Sequence, residues 1–205
     1  MKAFNQQRGG WTLMEVIAAL GVIVIGLTAA LFLTSYNLTI QGQSQKRLQA
    51  AHLAREVIEF LRASRDSNWL AGNSSFASWT DWYNRNNPAY RLIFDLNSDS
   101  FIVQAVLAAD PAGCGANCII RQNLDPSWPI LGLNDGNHSS FSRFFTIKPI
   151  CWDSVSQSVA VQSSTNSDCS AYPTLAGYQI EATVAWEFNG SWKQVQLVER
   201  LYDWK

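Results

Sequence analysis

Apolar and polar positions divide this chain into three regimes. From Trp11 to Leu33 nearly every residue is apolar or small, which supplies the roughly 20 apolar residues that a membrane-spanning helix requires. From Thr34 the apolar positions become periodic: Ala50, Leu53, Ala54, Val57 and Leu61 recur at helical spacing on one face, with His52, Arg55, Glu56, Glu59 and Arg62 on the other. Together these regimes predict a single helix from about Leu13 to about Arg62, roughly 75 Å long at 1.5 Å per residue. Its first half suits lipid and its second half suits the cover of a domain. No proline precedes Pro88, so no kink is forced.

The third regime is irregular at first and then alternating. Residues 63 to 89 interleave Ser64, Asn68, Asn73, Asn84 and Pro88 with Trp69, Phe76, Trp79, Trp82 and Tyr83, which predicts loop rather than helix. Strand-like runs follow at Tyr90 to Leu96 and Phe101 to Leu107, around the turn-rich Asn97-Ser98-Asp99-Ser100. Residues 108 to 139 read as a long loop region, and Phe141 to Trp152 as a further strand. The clearest β signal is last: Tyr178, Ile180, Ala182, Val184, Trp186 and Phe188 alternate with Gln179, Glu181, Thr183 and Glu187, Asn189-Gly190 supplies a hairpin turn, and Trp192 to Tyr202 returns. An antiparallel sheet with one apolar face needs cover, and the amphipathic half of the helix is the available element. The expected fold class is α+β, a long N-terminal helix packed on a C-terminal antiparallel sheet.

Charge and cysteines narrow the compartment and the function class. The formal net charge is −1 and no basic stripe appears, so no nucleic-acid partner is expected. Cys114, Cys118, Cys151 and Cys169 all follow the apolar run, where a membrane anchor would place them in an oxidising space. Four cysteines allow three pairings. Local disulfides, Cys114 with Cys118 and Cys151 with Cys169, are the preferred expectation over a four-thiolate zinc site, whose arms usually have tighter spacing. The Asp95, Asn97, Asp99 spacing opens like a calcium loop, but Ser100 replaces the glycine and Val106 stands where a bidentate Glu belongs. No nucleophile elbow, zincin helix or phosphate loop occurs, and His52 and His138 have no evident triad partners, so neither an enzyme nor a cofactor is expected.

Glu15 is the feature that composition leaves unexplained. A carboxylate at the edge of an apolar run costs a few kcal/mol in hydrocarbon and marks a functional candidate. Thr12-x-x-Glu15 also fits a capping box, in which the acid satisfies the first backbone N–H groups of the helix. Preceded by the short basic leader MKAFNQQRGG, the run Gly10-Trp11-Thr12-Leu13-Met14-Glu15 resembles the class III signal of type IV prepilins and type II secretion pseudopilins. The terminal pattern VAWEFNGSW ending in LYDWK is similar to the C-terminal hairpin of minor pilins and minor pseudopilins.

The resemblance implies a pilin-like fold with four segments. Residues 1–10 are a leader removed by a prepilin peptidase after Gly10, 11–33 a transmembrane and assembly helix, 34–62 its amphipathic continuation, and 63–205 an exported globular domain. Trp11 would be the methylated first residue, where the family usually has Phe, and Glu15 the fifth, setting register by pairing with a neighbour's terminal amine. Implied partners are other subunits, the peptidase and an inner-membrane assembly platform. The implied location is the bacterial inner membrane, N-terminus cytoplasmic, and then a periplasmic or cell-surface filament. The alternative is a filament-associated adhesin that holds a glycan or surface through Trp69, Trp79, Trp82 and the 108 to 139 loops. Rings in loops commonly fold inward instead, as a satellite core against the helix.

Overall fold

The computed structural model describes residues 12–95, 100–109, 114, 118–122, 137–162, 165, 169 and 174–203. In chain order these form α1 (Leu13–Leu70), a short 3-10 helix (Ala77–Trp79), β1 (Ala89–Asp95), β2 (Ser100–Val106), β3 (Ile119–Gln122), β4 (Asn137–Asp153), β5 (Ser158–Val161), β6 (Thr174–Phe188) and β7 (Ser191–Tyr202). The fold is α+β, a long apolar N-terminal helix followed by an antiparallel sheet, as the pilin-like arrangement requires. By contacts the chain divides into two compact units, Met1–Gln45 and Lys46–Lys205.

In the first unit the described structure is helix from Leu13 onward, about 1.5 Å of rise per residue. Every side chain from Leu13 to Gln45 is exposed except the half-buried Gln43. The threonine hydroxyls within this stretch bond back to the helix backbone. The Thr28 hydroxyl donates to the carbonyls of Val24 and Ile25 at 3.0 and 2.9 Å, Thr34 to Ala30 at 2.9 Å, and Thr39 to Ser35 at 3.1 Å. Bonds of this kind satisfy a hydroxyl donor without solvent.

In the second unit the remainder of α1 covers the sheet. Ala50, Ala54, Val57, Ile58 and Leu61 are buried against Tyr90, Leu92, Phe145, Ile147, Ile180, Ala182, Val184 and Leu201. Each large aliphatic side chain buried there contributes about 1.5–3 kcal/mol relative to exposure. The helix ends eight residues later than the predicted Arg62. Ser64 and Asn68, which read as loop formers, are satisfied by the segment that follows the helix: the Ser64 and Ser78 hydroxyls bond at 2.9 Å, and Asn68 Nδ2 donates to the Ser75 carbonyl at 3.1 Å and to the Ser78 hydroxyl at 2.9 Å. The stop is Gly72. With φ of 75° it closes the helix as its N–H bonds to the Trp69 carbonyl while the Asn73 N–H reaches back to Asn68, both at 3.0 Å.

The strands run in the order β2-β1-β4-β6-β7, with β3 and β5 also paired to β4, and every pairing is antiparallel. β1 and β2 match the two predicted runs to within a residue, and β6 and β7 pair from Gly177–Tyr202 to Phe188–Ser191. Asn189 and Gly190, with φ of 50° and 70°, make the two-residue turn. Alternation along β4 serves two faces: Phe145 faces the helix, while Phe144 packs with Ala89, Val106, Cys114 and Cys118. β3 and β5 were not predicted, because four-residue strands carry too few positions to show a period.

Candidate functional site: the apolar helix and an aromatic cleft

Glu15 lies in the first turn of α1 and is exposed. Its backbone N–H and that of Val16 bond to the Thr12 carbonyl at 3.0 and 3.3 Å, so the helix begins directly after Thr12. Between Thr12 and Gln45 this carboxylate is the only charge in the sequence. Around it stand Leu13, Met14, Val16, Ile17 and Leu20, all exposed. Gly10 and Trp11 lie outside the described residues, as do Asn97 and Asp99 of the calcium-like turn and most of the 108 to 139 loop.

The cysteines pair locally, Cys114 with Cys118 and Cys151 with Cys169, with Cα separations of 5.6 and 5.5 Å. Cys114 and Cys118 pack on the sheet face carrying Phe144. The second pair closes an 18-residue separation onto β4, a constraint on the unfolded chain of about 3 kcal/mol.

The three candidate tryptophans have different fates. Trp79 is not a surface ring: it is 2% exposed, packed on Phe76, Trp82 and Tyr178, with its indole N–H donating to the Ser64 hydroxyl at 3.3 Å. A single 3-10 turn turns it onto the helix, where a bulky ring gains more from burial than from water. Trp69 is half-buried, with the Arg65 guanidinium 5.9 Å from its ring centroid. Trp82 is half-buried and lines a cleft.

That cleft has a volume of about 600 Å³ and lies between residues 80–85 and the side chains of Pro149, Cys169, Leu175 and Tyr178. The 80–85 segment is held from below. The N–H groups of Trp82 and Tyr83 bond to the Trp79 carbonyl at 3.3 and 2.7 Å, and the Thr80 hydroxyl donates to the Ala77 carbonyl at 2.8 Å. Tyr90 clamps the other end, its hydroxyl donating to the Asn84 carbonyl and accepting the Asn84 N–H at 2.8 Å. Burial pushes the phenols of Tyr83 and Tyr178 up, while the Arg85 guanidinium pulls both down by a smaller amount. Both stay protonated near neutrality. The Tyr83 hydroxyl is buried and has no hydrogen-bond partner among the described residues.

A second feature invisible in the sequence pins the helix to the sheet. Arg143, on the helix-facing side of β4, has a side chain 2% exposed and pairs with Glu56 at 2.6 Å. The same guanidinium donates to the carbonyls of Leu92 at 3.0 Å and Leu53 at 3.4 Å. At the helix's outer edge Arg62 bridges Glu59 and Glu199 at 2.9 and 2.8 Å. Amphipathic spacing placed Glu56 and Arg62 on the polar face of the helix, where Arg62 finds Glu59 one turn away, and the approach of β4 and β7 adds Arg143 and Glu199 as partners. Comparison of the chain with protein-family models, with curated proteins and with solved structures yields no match.

Proposed function

We propose that this chain is a minor pilin or pseudopilin subunit, cut after Gly10, methylated at Trp11 and assembled through α1 into a type IV pilus or a type II secretion-like filament. The observation that carries the reading is the surface of α1 from Leu13 to Leu33: almost wholly apolar, exposed, and broken by one carboxylate in the first turn. It is long and apolar enough to cross a membrane, and the window that does so is wholly unburied. Such a surface needs lipid or other helices around it. Gly21, Gly26 and the Ala18-Ala19 and Ala29-Ala30 pairs leave room for close helix approach.

Glu15 then acts through charge. Cleavage creates an α-amino group, and a carboxylate and an ammonium are each expensive in an apolar bundle unless they meet. Pairing Glu15 of an incoming subunit with a neighbour's amine satisfies both and sets the stagger between helices. Other subunits, a prepilin peptidase and an inner-membrane assembly platform are the partners this requires. The subunit waits in the inner membrane, N-terminus cytoplasmic, and leaves it in the filament.

N-terminal sequencing and intact mass of the membrane form test the proposal. Loss of ten residues, with a methylated Trp11 as the new terminus, is the expected result; an intact Met1 overturns it. Glu15→Ala should remain membrane-inserted yet drop out of sheared filaments, and normal incorporation would refute the register role.

A further inference from the structure

The cleft over Trp82, Tyr83 and Tyr178 has a chemistry that filament assembly does not use. Its apolar wall is a set of rings in edge-to-face contact, with Tyr83 and Tyr178 at 5.2 Å between centroids and Trp82 and Tyr83 at 6.4 Å. Asp81, Asn84 and Arg85 contribute polar groups to the same lining. We propose that this cleft binds a sugar ring, as one residue of a glycan.

The lining argues for that class against the alternatives. A purely apolar ligand would strip water from the exposed Asp81 and return no hydrogen bonds to it. An anion would meet Asp81 and a cation would meet Arg85. A neutral pyranose avoids both conflicts. One face of its ring presents C–H groups, which suit an aromatic wall, and its equator carries hydroxyls that both donate and accept. Asp81 accepts, and the several N–H groups of Arg85 donate. The volume of about 600 Å³ falls within the usual range of small-ligand sites and admits more than one sugar unit.

The site is also built before a ligand arrives. Trp82 and Tyr83 hang from the Trp79 carbonyl, Trp79 is locked in the core, and Tyr90 fixes Asn84. A wall ordered in this way loses little conformational freedom on binding, which favours affinity. Ring packing continues beneath the cleft through Phe76 and Tyr178, at 4.8 Å and near-perpendicular, so the wall is backed rather than mobile.

The test uses the full chain in a sugar-free detergent, with methyl glycosides of glucose, galactose, mannose and N-acetylglucosamine as probes. Binding is read by saturation-transfer NMR and tryptophan fluorescence. At least one glycoside should bind saturably with a dissociation constant on the order of 1 mM, and Asp81→Ala should weaken it about tenfold. Asp81 is exposed, so its replacement leaves the fold intact even where Trp82→Leu, expected to abolish binding, also loosens the ring cluster. No saturation by any of the four at about 50 mM overturns the proposal. So does binding that Asp81→Ala and Trp82→Leu both leave unchanged, or indole binding more tightly than every glycoside. Because the measurement is made on unassembled protein, its failure leaves the filament reading standing, and the reverse also holds.

Discussion

Replacing Glu56 by Gln isolates the charge of the pair that fastens α1 to β4. Arg143 has a side chain 2% exposed, whereas that of Glu56 is 33% exposed, so the pair is asymmetric: the cation is sealed and the anion touches water. Two unit charges about 4 Å apart interact by about 4 kcal/mol at the effective dielectric typical near a protein surface. Water at the Glu56 end removes part of this, and the Gln amide oxygen keeps a neutral acceptor for the guanidinium. The Leu92 and Leu53 carbonyls still accept from Arg143. A net loss of about 2 kcal/mol remains. For a domain of this size that lowers the melting temperature by about 4–8 °C. Thermal melts and guanidinium titrations followed by tryptophan fluorescence, on the full chain in detergent, measure it. Arg143→Met should cost less than Glu56→Gln, because the acid it strands can hydrate, and the double variant should fall well short of additive. An unchanged melting temperature in Glu56→Gln, or a larger loss in Arg143→Met, would refute the asymmetry.

Two further outcomes follow from the sheet. At Gly177 a Cβ would collide with the Leu201 carbonyl oxygen and approach the Tyr202 Cα at 2.8 Å, so Gly177→Ala should spread β6 from β7 and cost about 2–3 kcal/mol in a denaturant titration; a loss under about 0.5 kcal/mol would show that the pair shifts freely. Burial alone would raise the Glu181 carboxyl, but bonds from Lys148 at 2.7 Å and Gln179 at 2.9 Å outweigh it and hold the group below the usual glutamate range. A depressed folded value means that this stabilisation is complete above the ordinary range and is lost as pH falls through the depressed one. Lys148→Met should therefore lower the melting temperature at neutral pH and flatten its decline in acid, and an unaltered acid slope would count against the pair.

Local pattern served well wherever one period governed a segment. The 50, 54, 57, 61 spacing identified the buried stripe of α1, and the alternation from Tyr178 to Phe188 identified the face of β6 that it covers. It failed between Ala63 and Leu70. Ser64 and Asn68 favour loops because their side chains compete for nearby backbone groups, and here that competition is relieved by Ser75 and Ser78, which return from beyond the helix end. The aromatics of residues 69 to 83 carry no period at all, and nothing local distinguishes Trp79, at the centre of the core, from Trp82, on the wall of a cleft.

What the amino-acid order determined by itself was one-dimensional: a helix too apolar for water over its first half, a single carboxylate near its start, a stripe to be covered, and a hairpin turning at Asn189-Gly190. These depend on residues within a turn or two of each other. Tertiary structure alone decided that Arg143 would reach Glu56, 87 positions away, and that Tyr178 would close a cleft opened by Trp82. Strand order and register set those meetings, and a shift of one residue in β4 would turn Arg143 to the opposite face of the sheet.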